Sequence, residues 1–202
     1  MLLGTQAGPP VEPYRTGIAS AIMVDGSTYM IDCGRSSVTQ FIKAGLTLAS
    51  LKGVFLTHLH ADHVADYFNL VLLGGNTPNS NHDTLPDVGV NVYGPGSAGG
   101  LPPANVGNPP TINPSNPTPG LQDLTNSSMD AYAYSFNSFL RLGALRDPRS
   151  LIHVNEIVLP NVGATFQNTA PLMQPFVVME DDKVRVTATL VPHGPTFPSF
   201  AY

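Results

Sequence analysis

Short apolar runs in the first hundred residues predict β-strands separated by turns and helices. Four β-prone runs have the length and composition of strands; they cover residues 21–24, 29–32, 54–56 and 90–93. The pair Asp25-Gly26 between the first two is typical of a two-residue hairpin turn, so these strands are predicted to be antiparallel neighbours.

Three segments carry helical patterns. Residues 37–44 place Val38 and Phe41 on one face, and Gly45 follows as a stop signal. Residues 66–73 are largely apolar and predict a buried helix. In residues 121–145, apolar side chains recur at the spacing of one helix face; they are Met129, Tyr132, Phe136, Phe139 and Leu140. Packing against the core is the favoured interpretation of this face, and a lid over a substrate is the alternative.

The segment 94–120 interrupts this pattern. It contains eight prolines, six glycines and no charged residue, which predicts an irregular loop or insert. The strand pattern resumes afterwards, with a hairpin predicted from residues 176–179 and 184–191 around an acidic turn. We therefore interpret residues 1–202 as a single domain with an excursion at about 94–120, although a linker between two domains is possible.

Composition and charge narrow the classes of function. Hydrophobic residues make up 42% of the 202 residues, enough for a buried core, and no apolar stretch approaches the ~20 residues that span a bilayer. The net charge of −5, with nine dispersed Lys and Arg residues, makes nucleic acid a doubtful partner. Cys33 is the only cysteine, which excludes an intrachain disulfide and a thiolate-rich metal site. No secretory signal is legible, so a cytoplasmic location is favoured.

The segment Thr57-His58-Leu59-His60-Ala61-Asp62-His63 carries the strongest chemical signal. It follows a predicted buried strand and holds four metal-ligand side chains. Histidines two positions apart in an extended chain point to the same side, so His58 and His60 can bind one cation. Asp62 and His63 follow as the chain turns toward a helix, where they would face a second cation. A histidine-rich surface loop is the alternative interpretation.

Imidazole and carboxylate ligands favour Zn²⁺, with Mn²⁺ or Fe²⁺ possible. A site without cysteine leaves the ion Lewis-acidic and open to water.

The motif HxHxDH after a strand resembles the signature of the metallo-β-lactamase superfamily. Further residues, in order, resemble the ribonuclease Z-like and arylsulfatase-like branch; they are Leu2-Leu3-Gly4-Thr5, Gly8-Pro9-Pro10, Arg15, Asp32-Cys33-Gly34, Gln40, Ala44-Gly45, Val191-Pro192-His193 and Ser199-Phe200-Ala201-Tyr202. The resemblance implies an α/β (α+β) fold, an αββα sandwich.

The resemblance also implies roles for individual residues. His58, His60 and His193 would bind a first zinc ion, and Asp62 with His63 would bind a second. Asp62 would also be catalytic, because it would orient the attacking hydroxide. Two histidines without this context are interpreted as structural or solvent-exposed; they are His82 and His153.

Asp32 has two interpretations. The resemblance implies that it supports the metal loop through hydrogen bonds, and a plain turn at the end of a strand is the alternative.

Two expected features of the family have no counterpart in the chain. The superfamily adds a bridging aspartate and a final histidine after the third metal motif, and no residue of this chain matches them. We therefore expect a chain shortened at its carboxyl terminus, with an incomplete second half of the sandwich. An exposed sheet edge and apolar surface would favour association, so a homo-oligomer is possible.

Three functional hypotheses remain open on the sequence. The first is a zinc-dependent hydrolase that uses a metal-activated water on a phosphodiester or small ester. The second is a lactonase or β-lactamase-like hydrolase with an apolar pocket lined by the proline-rich insert. The third is a metal-binding fragment that is catalytically incomplete.

Overall fold

Residues from both ends of the chain contribute to two β-sheets in the computed structural model, which describes residues 1–202. The larger sheet has six strands whose spatial order equals their chain order. They are β1 (Leu2–Gly4), β2 (Ala19–Val24), β3 (Ser27–Ile31), β4 (Leu51–Phe55), β5 (Val90–Pro95) and β6 (Ile152–Ile157). Strands β1 to β3 are antiparallel, and β3 to β6 are mutually parallel.

The predicted hairpin between the first two apolar runs is confirmed. Strands β2 and β3 pair with Val24 opposite Ser27, and both turn residues have positive φ, 46° at Asp25 and 80° at Gly26. Glycine adopts this conformation without strain, and aspartate tolerates it better than most residues.

Strand β6 was not predicted. Its sequence alternates Ile152 and Val154 with polar residues, but the alternation is short, and only Ile152 and Ile157 are buried. Strand β6 lies at one edge of the sheet, where fewer of its side chains are covered.

The helical segments connect these strands. They are α1 (Ser37–Lys43), α2 (Ala61–Val64), a π-helical segment (Asn69–Gly74), α3 (Leu121–Ala131) and α4 (Ala133–Arg141), with 3₁₀ turns at Leu48–Ser50 and Pro148–Ser150. Helix α1 stops before Gly45, whose φ is 76°, as predicted. The predicted helix at 66–73 is observed as helical residues 67–68 followed by the π-helical segment.

The prediction of one helix face over residues 121–145 is wrong in one respect. The chain forms two helices, because the backbone departs from helical geometry at Tyr132 (φ −107°, ψ 15°). The ring of Tyr132 stacks on Phe68 there, with centroids 4.2 Å apart. The predicted packing of this helix face against the core is observed only in part, since Phe136 is buried whereas Phe139 is 46% exposed.

The large sheet packs differently on its two faces. Met30, Val54 and Val92 lie side by side on one face and join a core of 22 buried residues that includes Phe41 of α1 and Leu70 of the π-helical segment. Strand residues one position away point to the other face. Those residues include Tyr29, Phe55 and Tyr93, of which the last two stack with ring centroids 4.9 Å apart.

The second sheet covers this other face. It consists of the antiparallel strands β7 (Phe176–Glu180), β8 (Arg185–Leu190) and β9 (Phe200–Ala201), of which β7 and β8 are the predicted hairpin. Two tyrosine hydroxyls join the sheets: Tyr29 donates to Asp181 (2.6 Å) and Tyr202 donates to the carbonyl oxygen of Leu56 (2.9 Å).

The layers match the expected sandwich with an incomplete second half. Helices cover the outer face of the six-stranded sheet, the two sheets face each other, and no helix follows β6. Strand β8 lies between β7 and β9, so the edges of the small sheet are β7 and β9.

The proline-rich segment is irregular, as predicted, apart from Gly94 and Pro95, which end β5. None of the helices combines the length and the apolar character needed to cross a lipid bilayer.

Candidate metal centre

The candidate centre lies where two parallel strands end. Strands β3 and β4 are neighbours with Ile31 opposite Phe55, so the residues that follow them emerge at the same edge of the sheet. Asp32 follows β3, and Thr57 begins the histidine-bearing loop after β4. Side chains at the carboxyl ends of parallel strands commonly form binding sites in α/β folds.

Asp32 holds the loop through both carboxylate oxygens. Its Oδ1 accepts a hydrogen bond from the backbone N–H of Thr57 (2.8 Å), and the Thr57 hydroxyl lies 3.0 Å from each oxygen. Its Oδ2 lies 2.8 Å from Nδ1 of His63. These bonds match the supporting role that the family resemblance implied. The backbone at Asp32 has a positive φ of 58°.

This network determines which ring nitrogens are free. An ionised carboxylate only accepts hydrogen bonds, so Nδ1 of His63 donates to Asp32, and Nε2 is the ring nitrogen left for another partner. The Thr57 hydroxyl donates to Asp32 and therefore accepts from Nδ1 of His58, which lies 3.1 Å away. In the neutral ring, Nε2 of His58 is then unprotonated, as a metal ligand must be.

Three histidines converge from two parts of the chain. His58, His60 and His193 each offer a nitrogen, and these nitrogens all lie within 4.8 Å of one another. His58 and His60 belong to the loop after β4, whereas His193 follows β8 of the small sheet. His58 is buried and the other two are exposed, so the cluster opens to solvent on one side.

Thr196 was not singled out from the sequence. Its hydroxyl lies 2.9 Å from Nε2 of His60, although the two residues are 136 positions apart. A proton on Nε2 would be donated to Thr196 and would leave the Nδ1 lone pair of His60 for the cluster. No local pattern signals such a contact, because the packing of the two sheets creates it.

Electrostatics favour neutral imidazoles in this cluster. Burial, and then the neighbouring His63, His60 and His193, lower the pKa of His58 from 6.5 to about 3. Burial and the nearby His193 also lower the pKa of His60. Both rings are therefore uncharged at neutral pH, which is the form that binds a cation.

The cluster fits a divalent cation. Nε2 of His58 is buried without a hydrogen-bond partner in the protein, although an unsatisfied buried polar atom costs about 1–3 kcal/mol. Three converging imidazole nitrogens without cysteine match the donor set of catalytic zinc sites, which keep one position open.

The second predicted pair is less complete. Asp62 and His63 lie in α2, and Oδ2 of Asp62 is 3.5 Å from Nε2 of His63. The pair faces inward with its side chains 11% and 17% exposed. Asp62 and His63 are not part of the three-histidine cluster. Together they offer two further metal-ligand side chains.

The other histidines lie outside the cluster. His82 is exposed in a turn with a φ of 58°, and Nε2 of His153 lies 2.9 Å from the carbonyl oxygen of Val88. Cys33 is buried beside Asp32, and burial raises the pKa of its thiol well above the ordinary value. Neither His82 nor His153 contributes to the three-histidine cluster.

Comparisons with known proteins place these features in a family. The family model described as Metallo-beta-lactamase superfamily matches residues 14–125, which is more than half of the 202 residues. The matched part includes Asp32 and the whole loop from Thr57 to His63.

Similar curated proteins carry ribonuclease names. The chain is 35% identical over 100 residues to "Ribonuclease Z 2, mitochondrial" of Schizosaccharomyces pombe, which covers 46% of this chain and 14% of that protein. It is 34% identical over 94 residues to ribonuclease Z of Synechococcus sp., which covers 46% of this chain and 28% of that protein. The matched region is therefore less than a third of either relative.

A solved structure supports the fold. Human tRNase Z, short form, superposes with a TM-score of 0.62 at 23% identity, covering 98% of this chain and 60% of that chain. The doubt about nucleic acid, which rested on net charge, is not supported by these relatives, because their names denote nucleases. Net charge does not exclude a local RNA contact.

Proposed function

Because the chain belongs to the metallo-β-lactamase superfamily, we propose that it is a metal-dependent hydrolase whose metal ligands are His58, His60 and His193. Zinc is the proposed ion, with Mn²⁺ or Fe²⁺ as alternatives. The single observation that carries this proposal is the buried Nε2 of His58, which has no partner in the protein and lies with nitrogens of the other two histidines.

Each side chain of the site has a distinct proposed task. His58, His60 and His193 would hold the zinc ion, which would supply Lewis acidity for the attacked bond and for the attacking water. Asp62 orients the attacking water and accepts its proton at a carboxylate oxygen. Asp32 and Thr57 keep the loop and the ring of His58 in place, and Thr196 does the same for His60.

A second ion is proposed at Asp62 and His63. The Nδ1–H of His63 is held by Asp32, which leaves Nε2 facing the Asp62 carboxylate. Because only two ligands are present here, we expect a second ion to bind less tightly than the first.

The proposed substrate bond is a phosphodiester or another small ester. The names of the ribonuclease Z relatives support a phosphodiester. We further propose that residues 1–202 act as one domain, because Ser97 and Thr118 near the two ends of the proline-rich segment are joined by a hydrogen bond of 3.2 Å.

Zinc content tests the ligand assignment. The wild-type chain, the double variant His58→Ala/His60→Ala and the control His82→Ala would be loaded with zinc, freed of loosely held metal and analysed by mass spectrometry. We expect the double variant to bind at least one zinc ion fewer per chain than the wild type and the control, because Asp62 and His63 remain available for the proposed second ion. Equal zinc content in the wild type and the double variant would refute the assignment.

Hydrolysis of bis(p-nitrophenyl) phosphate by the same samples tests the activity. We expect turnover by the wild type and the control, and loss of turnover in the double variant. Zinc binding without turnover would refute the hydrolase and favour a catalytically incomplete metal-binding chain. Faster turnover of a lactone or of nitrocefin than of the phosphodiester would instead favour the lactonase or β-lactamase-like hypothesis.

A further inference from the structure

A cavity of about 310 Å³ lies directly beside His60. Three parts of the chain surround it: the metal loop at Leu59 and His60, the proline-rich segment at 95–102 and 118–119, and the loop 195–198 after His193. One wall therefore belongs to the candidate metal centre, and another belongs to the segment that sequence analysis identified as an insert. Its volume lies at the lower end of the range of small-molecule pockets, about 300–1,000 Å³.

The lining of this cavity is uncharged. Its 14 residues include five prolines but no Asp, Glu, Lys or Arg, and its polar groups are the ring of His60, the hydroxyls of Thr118 and Thr196 and backbone atoms. A charged group that entered would lose hydration without gaining an ionic partner, which is unfavourable. A phosphate group of a nucleic-acid backbone would also find no Lys or Arg there.

The walls are held in place before any ligand binds. Proline, which fixes φ, occupies five of the 14 lining positions. The ends of the proline-rich segment are joined through Ser97 and Thr118. Close to its first end it packs tightly on another loop, since a Cβ atom on Gly100 would lie 2.4 Å from Cε1 of Phe166. A preformed cavity orders fewer side chains on binding.

From this arrangement we propose that the cavity is the subsite for an uncharged aryl or alkyl group of the substrate, carried on the ester bond that is hydrolysed at the metal centre. The inference rests on the proposed hydrolase function and specifies its substrate class. It assigns the proline-rich segment a role in specificity. The Thr196 hydroxyl lines the subsite and contacts His60, so the two sites share a wall.

Binding to the metal-free chain tests the subsite independently of catalysis. The probes are 4-nitroanisole, which is uncharged, and 4-nitrobenzoate, which is anionic and of similar size, with thymidine as a nucleoside. Ligand-observed NMR is expected to detect 4-nitroanisole with an affinity at least about tenfold above that of the other two. Equal or tighter binding of 4-nitrobenzoate or thymidine would overturn the proposal.

Variants at Leu101 locate the probe. Leu101 lines the cavity and is 48% exposed, whereas Leu172 is 99% exposed outside it. Leu101→Asp is expected to abolish binding of 4-nitroanisole, and Leu172→Asp, the matched control, is expected to retain it. Leu101→Lys is expected to gain binding of 4-nitrobenzoate. Retention of 4-nitroanisole by Leu101→Asp would place the probe elsewhere and overturn the subsite.

Hydrolysis links the subsite to the metal centre. In the zinc-loaded chain, Leu101→Asp should lower kcat/KM for bis(p-nitrophenyl) phosphate about tenfold relative to Leu172→Asp, at equal zinc content. Binding of 4-nitroanisole without any hydrolysis by the wild type would refute the proposed function and leave the aryl-binding cavity. Hydrolysis without such binding, or with equal rates in both variants, would refute the subsite and leave the hydrolase.

Discussion

The two sheets of this protein differ in how much core each possesses. The six-stranded sheet packs against helices over a cluster of 22 buried residues, whereas the three-stranded sheet centres on a cluster of only four. His58 and His60 follow a strand of the first sheet, and His193 follows a strand of the second. The well-packed sheet can therefore position two histidines of the cluster, while the third depends on how the small sheet docks.

The largest expected effect lies in the core of the six-stranded sheet. Phe41 is fully buried in α1, and Phe41→Ala should lower the free energy of unfolding by about 3–5 kcal/mol because it leaves a cavity. Urea denaturation measures this change. The control Phe139→Ala, which truncates a half-exposed ring on α4, should cost much less. A similar loss in both variants would mean that the larger cluster is not the stabilising core.

Metal removal should affect the junction between the sheets. A cation bound by His58, His60 and His193 would connect the two sheets, so zinc at about 100 times its Kd should stabilise the fold by about 2.7 kcal/mol. Chelation should accelerate amide hydrogen exchange in residues 193–200 more than in β3–β5. Equal acceleration in both regions would contradict the idea that the small sheet is the part held by the metal.

The support that Asp32 gives to the loop after β4 can be tested by substitution. Asp32→Asn keeps the size of the side chain but removes its charge, and it should lower zinc affinity about 10- to 100-fold because the rings of His58 and His63 lose their support. Competition with a chelating dye measures the affinity. Asp182→Asn, at an exposed turn with its side chain 82% accessible, is the matched control. Unchanged affinity in Asp32→Asn would show that Thr57 alone orients the loop.

The smallest expected effect concerns one hydrogen bond between the sheets. Tyr29→Phe removes the bond to Asp181 and should cost about 1 kcal/mol of unfolding free energy at pH 7. Tyr134→Phe, at an 88% exposed position, is the control and should cost nothing measurable.

The same tyrosine predicts a pH dependence. Burial, and then the hydrogen bond to the negatively charged Asp181, raise the pKa of Tyr29 from 10.0 to about 12. Its contribution is fully present below pH 10, where both states keep the proton, and is lost as the pH rises from 10 to 12. Wild type should therefore lose more stability than Tyr29→Phe over this interval. Parallel curves for the two proteins would contradict this assignment.

Local patterns predicted much of the six-stranded sheet and the metal loop. The hairpin at Asp25-Gly26 and the stop at Gly45 follow from short-range backbone preferences that tertiary contacts did not alter. The break at Tyr132 escaped prediction, because a contact with Phe68 accompanies it and the apolar spacing continues across it. Strand β6 was missed because its alternation of apolar and polar residues is short.

By itself, the sequence determined which side chains are available for chemistry and which of them are near neighbours along the chain. His58 and His60 lie on one side of an extended loop because of their spacing, and Asp62 and His63 follow at once. The family resemblance implied that His193 joins them, but only the tertiary structure decided how closely the three histidines converge, that Thr196 contacts His60 and that the proline-rich segment borders the metal centre. The physical reason is that these contacts link residues up to 136 positions apart, and they depend on how two sheets pack rather than on any local preference of the chain.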